Sequence, residues 1–261
     1  MSDLLLLSEA QMRRIEPCFP LSHGVPRVDD RRVLSGILFV IRNGLRWRDT
    51  PAAYGPHKPV SSNVERTIYN RFTRWSRLGV FNRIFAELAA GSDTSDRLMI
   101  DATHLKAHRT AASLLKKGLY PGCIGRSRGG LTTKLHAVCD GSGRPVRLVL
   151  TEGQTSDYKG AAMLVDTLPP AKAMLADRGY DATWFRKALA ERGIAACIPS
   201  KINRKVAIPH DRSLYRQRHR IENMFGRLKD WRRIHTRYDR CAHTFLSAIA
   251  LAASFIFWLN Q

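Results

Sequence analysis

The sequence predicts an α/β protein in which a small all-helical module, residues 1–92, precedes a mixed sheet flanked by helices, residues 93–261. Two observations carry that reading. Apolar residues in the first ninety positions recur at helical spacing, whereas beyond the polar stretch "GSDTSD" at 91–96 short apolar segments alternate with helical ones. A third observation sets the context: 43 Lys and Arg face 22 Asp and Glu, a formal net charge of +21. With 44% hydrophobic residues, such a chain folds around a real core and is built to meet a polyanion: DNA, RNA or an anionic membrane.

The elements follow in order. "DDRRVLSGILFVIRNG" places Val33, Leu34, Ile37, Leu38 and Ile41 on one helical face, with Asp29 or Asp30 as cap and Gly44 as stop. "TIYNRFTRWSRLG" sets Ile68, Phe72, Trp75 and Leu78 on one side and Arg71, Arg74 and Arg77 elsewhere, and "FNRIFAELAAG" completes the module. A basic helix after a polar loop suits a helix-turn-helix-like DNA reader with Arg71 and Arg74 as contacts, and plain helical packing explains the same pattern. After the linker, "RLMIDATHL" reads as a strand ending near Asp101, and "LTTKLHAV" and "RPVRLVLTE" as a hairpin around "CDGSGR". "SDYKGAAMLVDTL" is helical, "AKAMLAD" is a short strand ending at Asp177, "DATWFRKALAERG" is a helix capped by Asp181, and "IAACIPS" is a strand.

The long basic helix "SLYRQRHRIENMFGRLKDWRR", 213–233, comes next. The nearly charge-free "TFLSAIALAASFIFWLNQ", 244–261, is broken by Ser247 and Ser254 and falls short of the roughly 20 apolar residues of a span, so it reads as a buried closing helix and no membrane partner is expected. Five scattered cysteines (Cys18, Cys123, Cys139, Cys197, Cys241) without a C-x-x-C pair, and an N-terminus unlike a signal peptide, point to reduced thiols in a cytoplasmic protein.

Asp101 and Asp177 end apolar strands, where open α/β sheets place ligand-binding groups. If those strands are neighbours, the two carboxylates lie side by side, which is costly unless a cation sits between them. Two hard divalent ions held by carboxylates suit phosphoryl transfer on a phosphodiester. Glu222 is the third candidate. On an ideal helix Tyr215, Arg218, Glu222 and Lys229 fall within a stripe of about 60°, so Glu222 would close the metal site while Arg218 and Lys229 hold flanking phosphates. Tyr215 fits either a phosphate contact or half-buried packing. Arg216, Arg220, Arg227, Arg232 and Arg233 would supply salt-dependent backbone affinity for DNA.

Other acids have plainer explanations: Asp140 in a hairpin turn, Asp157 and Asp181 as helix caps. Glu152 stays open at a strand end. His104 and His108 have the spacing of a shared helix face but no third ligand, and packing or polar contact explains them better than zinc. His136 and Lys134 alternate on one face of the second strand.

The spacing Tyr215, Arg218, Glu222, Lys229 resembles the Y-R-E-K signature of bacterial insertion-sequence transposases of the DDE type, the group often called the IS-five family. "MIDATHLKAHRTA" around Asp101 and "MLADRGYDA" around Asp177 resemble its other two blocks, and "GLRWRDTPAAYGPHK" and "TIYNRFTRWSRLGVF" its leader region. The resemblance implies an RNase H-like catalytic core, Asp101, Asp177 and Glu222 as catalytic metal ligands, and Mg²⁺ or Mn²⁺ as a two-ion cofactor. It also implies double-stranded DNA as partner (terminal inverted repeats and target), cut-and-strand-transfer chemistry, and a dimer or higher assembly. One departure stands out: "PVSSNVER", 59–66, separates two blocks that nearly abut in the family pattern. An RNase H-like nuclease without joining and a domesticated DNA-binding copy are the alternatives.

Overall fold

Eleven residues of mostly apolar and β-branched character, Arg97–Ala107, form the strand around which the molecule is organised (β1). The computed structural model describes residues 4–21, 29–55, 63–90, 95–113 and 122–260, with the backbone alone for 63–67. The expected domain boundary at 92/93 and the first part of the 59–66 insertion lie outside the described residues.

Helix α1 (Glu9–Ile15), absent from the sequence reading, starts at a capping box in which the Ser8 hydroxyl accepts from the Gln11 backbone N–H and the Gln11 side chain accepts from the Ser8 N–H. Helix α2 (Asp30–Asn43) starts where the Asp29 carboxylate accepts from two backbone N–H groups, and ends at Gly44, whose φ of 71° suits glycine. Helices α3 (Asn63–Arg77) and α4 (Val80–Ala90) follow, joined through Gly79 at φ 68°. Phe72, Trp75 and Phe81 are buried between them, and Phe19 packs edge-on against Trp75 at 4.8 Å. Each such side chain stabilises by about 1.5–3 kcal/mol when fully buried.

After β1 come α5 (Arg109–Ala112), β2 (Gly125–Ser127), β3 (Gly130–Asp140), β4 (Pro145–Glu152), α6 (Asp157–Leu164), β5 (Ala173–Leu175), α7 (Thr183–Glu191) and β6 (Ala195–Cys197). The chain closes through α8 (Arg212–Tyr215), α9 (His219–Lys229), α10 (Arg232–His235), β7 (Thr236–Arg237) and α11 (Ala242–Ser254). The sheet runs β2, β3, β1, β5, β6, with β4 on β3 and β7 on β1. β1 is antiparallel to β3 and parallel to β5, and the β3–β4 hairpin pairs as expected.

Three expectations need correction. The first strand does not end near Asp101 but continues to Ala107, because β3 pairs with it as far as Lys106 and β7 takes over at its end. The long basic helix is not continuous: a short 3-10 turn at Arg216–Arg218 separates α8 from α9. Asp157 and Asp181 are not caps. Ser156 and Ala182 hold the N-cap positions, and the two carboxylates are engaged with Lys134 and with Arg186 and Arg204 instead.

Helix α11, continued by a wide turn at Phe255–Leu259, packs against α4, α3 and α2. It is long and apolar enough to cross a membrane, yet 72% of the Ala242–Leu259 window is buried inside the protein. Its residues share one hydrophobic core with the N-terminal helices and the sheet, so the closing helix joins the two parts of the chain.

Candidate active site

The edge of β1 facing away from β3 sets the site's position. β5 pairs with Arg97–Met99 and β7 with Lys106–Ala107, so among the described residues no strand partners 100–105 along this edge. Helix α9 packs there. Side chains on a strand alternate faces, so Asp101 and Thr103 point the same way. Arg218 Nη1 donates to Asp101 Oδ2 at 2.8 Å, and Lys229 Nζ donates to Thr103 Oγ1 at 2.5 Å. Of the four residues expected on one stripe, Arg218 and Lys229 therefore contact the strand that carries Asp101, one from the 3-10 turn and the other from α9.

Asp177 lies two residues beyond β5, at the start of a 3-10 turn. Parallel pairing of β5 with β1 brings it beside Asp101, whose carboxyl is raised above its ordinary range. Burial is the first cause, and the Asp177 charge adds to it against the opposing pull of the Ala102 N–H and Arg218. Asp177 Oδ1 is buried with no hydrogen-bond partner among the described residues. A Cβ on Gly179 would stand 2.8 Å from that oxygen, so the turn is built tightly around it. Glu222 is more exposed, with a side-chain accessibility of 54%, and is bonded to Arg218.

Two under-compensated carboxylates with hard oxygen donors fit a divalent cation. Among the described residues no three acidic, imidazole or thiol groups gather closely enough to hold an ion. Arg218, bonded to both Asp101 and Glu222, holds the cationic position between them. Burial works to lower the Arg218 pKa, but the carboxylates of Asp101 and Glu222 raise it overall. Lys229, its pKa lowered by burial, forms no ion pair among the described residues.

Not every expected contact is brought here. Tyr215 stands beside Arg218 and packs edge-on against His210 at 5.4 Å, half-buried. Arg216 and Arg232 are exposed on the surface, as is Arg74. Arg220 donates to the Gly141 carbonyl, and Arg227 lies over Phe257 and donates to the Ile256 carbonyl. Two of the expected contacts are engaged within the protein. Arg233 is 6% exposed, paired with Asp239 at 3.2 Å and donating to the Leu45 carbonyl. Arg71 pairs with Asp30 of α2 at 3.2 Å and lies over Trp75, fastening α3 to α2.

The remaining polar candidates are structural. Asp140 accepts from the Ser142 and Arg144 N–H groups in its turn. Glu152 accepts from the Gln154 side chain. His104 sits on β1, bonded through Nε2 to the Gly153 carbonyl, and His108 accepts from the Thr110 N–H to start α5, so the two share no helix face. His136 is buried against Thr151, and burial lowers its pKa to about 4, which leaves it neutral. Lys134 pairs with Asp157 at 2.7 Å.

Two site residues escaped the sequence reading. Thr103, the Lys229 acceptor, was findable from strand periodicity once Asp101 was chosen. Tyr180 was not: its hydroxyl is buried with no partner, and its pKa is raised by burial and then by Asp157, Asp101 and Asp177.

The chain is similar to known proteins over nearly its whole length. A family model described as "Transposase DDE domain" matches residues 93–257, and one described as "Putative transposase of IS4/5 family" matches residues 7–85. The "Putative transposase for insertion sequence element IS6501" of Brucella ovis is 37% identical over 132 residues, 50% of this chain and 100% of that protein. The "Putative transposase for insertion sequence element IS402" of Burkholderia cepacia is 29% identical over 69% of this chain and 86% of its own length. Among solved structures, the piggyBac transposase synaptic complex with hairpin DNA superimposes with a TM-score of 0.55 at 10% identity, covering 99% of this chain and 73% of that one. The mixed sheet flanked by helices is an RNase H-like core preceded by helices, and the chain belongs to the DDE transposases of bacterial insertion sequences, metal-dependent enzymes that cleave and transfer DNA strands.

Proposed function

We propose that this transposase binds the terminal inverted repeats of its insertion sequence, cuts the DNA there, and joins the freed 3′ ends to target DNA, with Asp101, Asp177 and Glu222 as its catalytic metal ligands. The observation that carries this reading is the buried, partnerless Asp177 oxygen beside the raised carboxyl of Asp101. Both features describe negative charge waiting for a cation. Two Mg²⁺ or Mn²⁺ ions bound there would supply activation of the attacking oxygen and stabilisation of the leaving one.

The chain's own residues do the rest. Arg218 leaves its bridging position as Glu222 turns toward Asp101, and its guanidinium then meets a phosphate oxygen of the DNA. Lys229 holds a second phosphate from the end of α9, where its ammonium rests on Thr103 of β1. Cleavage breaks a phosphodiester with water and leaves a 3′-hydroxyl. That hydroxyl then attacks a target phosphodiester, and the bond count is conserved as one diester replaces another. Exposed Arg216, Arg220, Arg227 and Arg232, with Arg74 on α3, add backbone affinity that weakens with salt. Two ends must be processed together, so the working form is a dimer or larger assembly on DNA, acting in the cytoplasm at the nucleoid. Residues 1–92 and 93–261 serve respectively as end reader and catalytic domain.

The test compares wild type with Glu222→Gln on element-end DNA with Mg²⁺. Cleavage and joining lost in the variant with DNA binding retained supports the assignment. Equal activity in both removes Glu222 from the site. Cleavage without joining favours the nuclease reading, and binding without cleavage in wild type a DNA-binding relic.

A further inference from the structure

A cleft of ≈ 1050 Å³ lies where the N-terminal helices meet the segment after α10, away from the carboxylates. Its lining joins the two halves of the chain: Arg46, Trp47 and Arg48 after α2, Tyr69 and Arg77 on α3, and Arg233 to Thr244 from the C-terminal part. Five arginines line it, and the sole carboxylate among its lining residues, Asp239, is already paired with Arg233. Arg48, Arg77 and Arg240 are exposed and form no ion pair among the described residues. Arg233 Nε and Asp239 Oδ2, in side chains 7% exposed, lack hydrogen-bond partners.

Aromatic rings interleave with these cations. Arg233 lies between the rings of Trp47, at 5.1 Å, and Tyr238, at 5.6 Å. Tyr238 packs in turn on His108 at 4.9 Å, and Trp47 on Tyr69 at 5.6 Å. Tyr69 and Tyr238 remain 43% and 39% exposed. Cations along a groove with partly exposed rings are the surface that unpaired bases stack on and their phosphates follow. The volume is on the scale of a pocket that engulfs a drug-sized molecule, which admits a few unpaired nucleotides but no duplex.

We infer that this cleft holds an unpaired DNA strand released near the cleavage point. The inference rests on the proposed transposase reading, since β1 connects the two places. From Asp101 to Ala107 the strand advances about 20 Å at ~3.3 Å per residue, which corresponds to about six nucleotides at the duplex repeat of ~3.4 Å. An unpaired strand opened at the carboxylates is not held to that stacked spacing, so about six nucleotides or fewer reach Tyr238 and Arg240, and gripping it keeps the cut end open for the next step.

Fluorescence anisotropy with a labelled single-stranded oligonucleotide of about 12 nucleotides, and with a duplex of equal length, tests this. Tyr238→Leu should weaken single-strand binding about 5- to 10-fold, given the known range for base–aromatic stacking, and leave duplex binding within about twofold. The surface pair Arg48→Gln with Arg240→Gln should weaken single-strand binding more than duplex binding, and near-ultraviolet circular dichroism shows whether each variant is folded. Parallel losses for both DNAs, or no loss in the folded double variant, overturn the inference. Cleavage of end DNA by wild type is read separately, so its absence would sink the transposase reading while the binding comparison still decides the cleft.

Discussion

Asp177 and Asp181 lie four residues apart on one turn, and their surroundings are opposites. Asp181 is fully buried and saturated: Arg186 Nε and Arg204 Nε donate to it at 2.8 Å, and the Lys201 backbone N–H donates at 2.8 Å. Burial alone would raise its pKa, but the hydrogen bonds from Arg204, Lys201 and Arg186 outweigh it and bring the value to about 2. Asp177 has an oxygen with no donor among the described residues and a second carboxylate, Asp101, as its neighbour. A buried charge kept for stability is surrounded by donors, because an unpaired one costs several kcal/mol. A buried charge left short of donors, on a turn packed around it, marks where the fold tolerates cost for chemistry.

The comparison is broken most decisively by removing each acid in turn. Asp177→Asn should cut strand cleavage on the order of 10³-fold, the loss of several kcal/mol of charge stabilisation in the transition state. Its unfolding midpoint in urea should not fall, since Asp177 Oδ1 makes no hydrogen bond among the described residues for the amide to lose. A variant that cleaves normally, or that unfolds markedly earlier, would place Asp177 with the structural acids.

Asp181→Asn should do the reverse. It strands two arginines, Arg186 at 12% and Arg204 at 20% side-chain exposure. Removing one partner of a buried charge cluster costs about 3–5 kcal/mol, read as a lower urea midpoint with unchanged slope. Cleavage by the fraction that stays folded should remain near wild type. A selective loss of cleavage with stability intact would make Asp181 part of the site.

How much of this was legible in the sequence follows from the same physics. Asp177 was readable from the end of its strand and Glu222 and Lys229 from helical spacing, because both are local patterns; Asp101 was picked out from a strand end that lies in the middle of β1. The hairpin around Asp140 was readable for the same reason. Asp181 could be dismissed as a ligand, but not for the right cause: its partner Arg204 is 23 residues away, and that pairing is made by the loop after β6 folding back. The internal ion pairs of Arg71 and Arg233 were not visible because an arginine in a basic sequence looks the same whether it faces solvent or a carboxylate across the core. The long-range meeting of Arg46–Arg48 with Arg240, which forms the cleft, leaves no local trace either, although the alternation of arginine and tryptophan in "GLRWRD" was its one visible part. Strand β1 was read short because Asp101 and the polar residues after it resemble a strand end when the partner strands are unknown.

The pH dependence of stability sharpens the contrast, since the two kinds of acid act with opposite sign. Asp181 has its folded pKa depressed to about 2 from 3.8, so its stabilisation is fully present above about pH 4 and is lost as pH falls toward 2. The window is worth about 2 kcal/mol at ~1.4 kcal/mol per unit, and Asp181→Asn should flatten that acid limb of the stability curve. Asp101 has its folded pKa raised, so it favours the folded state below its unfolded value and that contribution disappears as pH rises through the folded value. At about pH 7 its ionised form is therefore a cost, and Asp101→Asn should raise the urea midpoint there while leaving the acid limb nearly unchanged. Arg218 keeps a carboxylate partner in that variant through Glu222, so the gain is not cancelled by a stranded guanidinium. A midpoint that falls at neutral pH would mean that Arg218 already compensates Asp101 in full, and the carboxylate pair would then hold no reserve of negative charge for a cation.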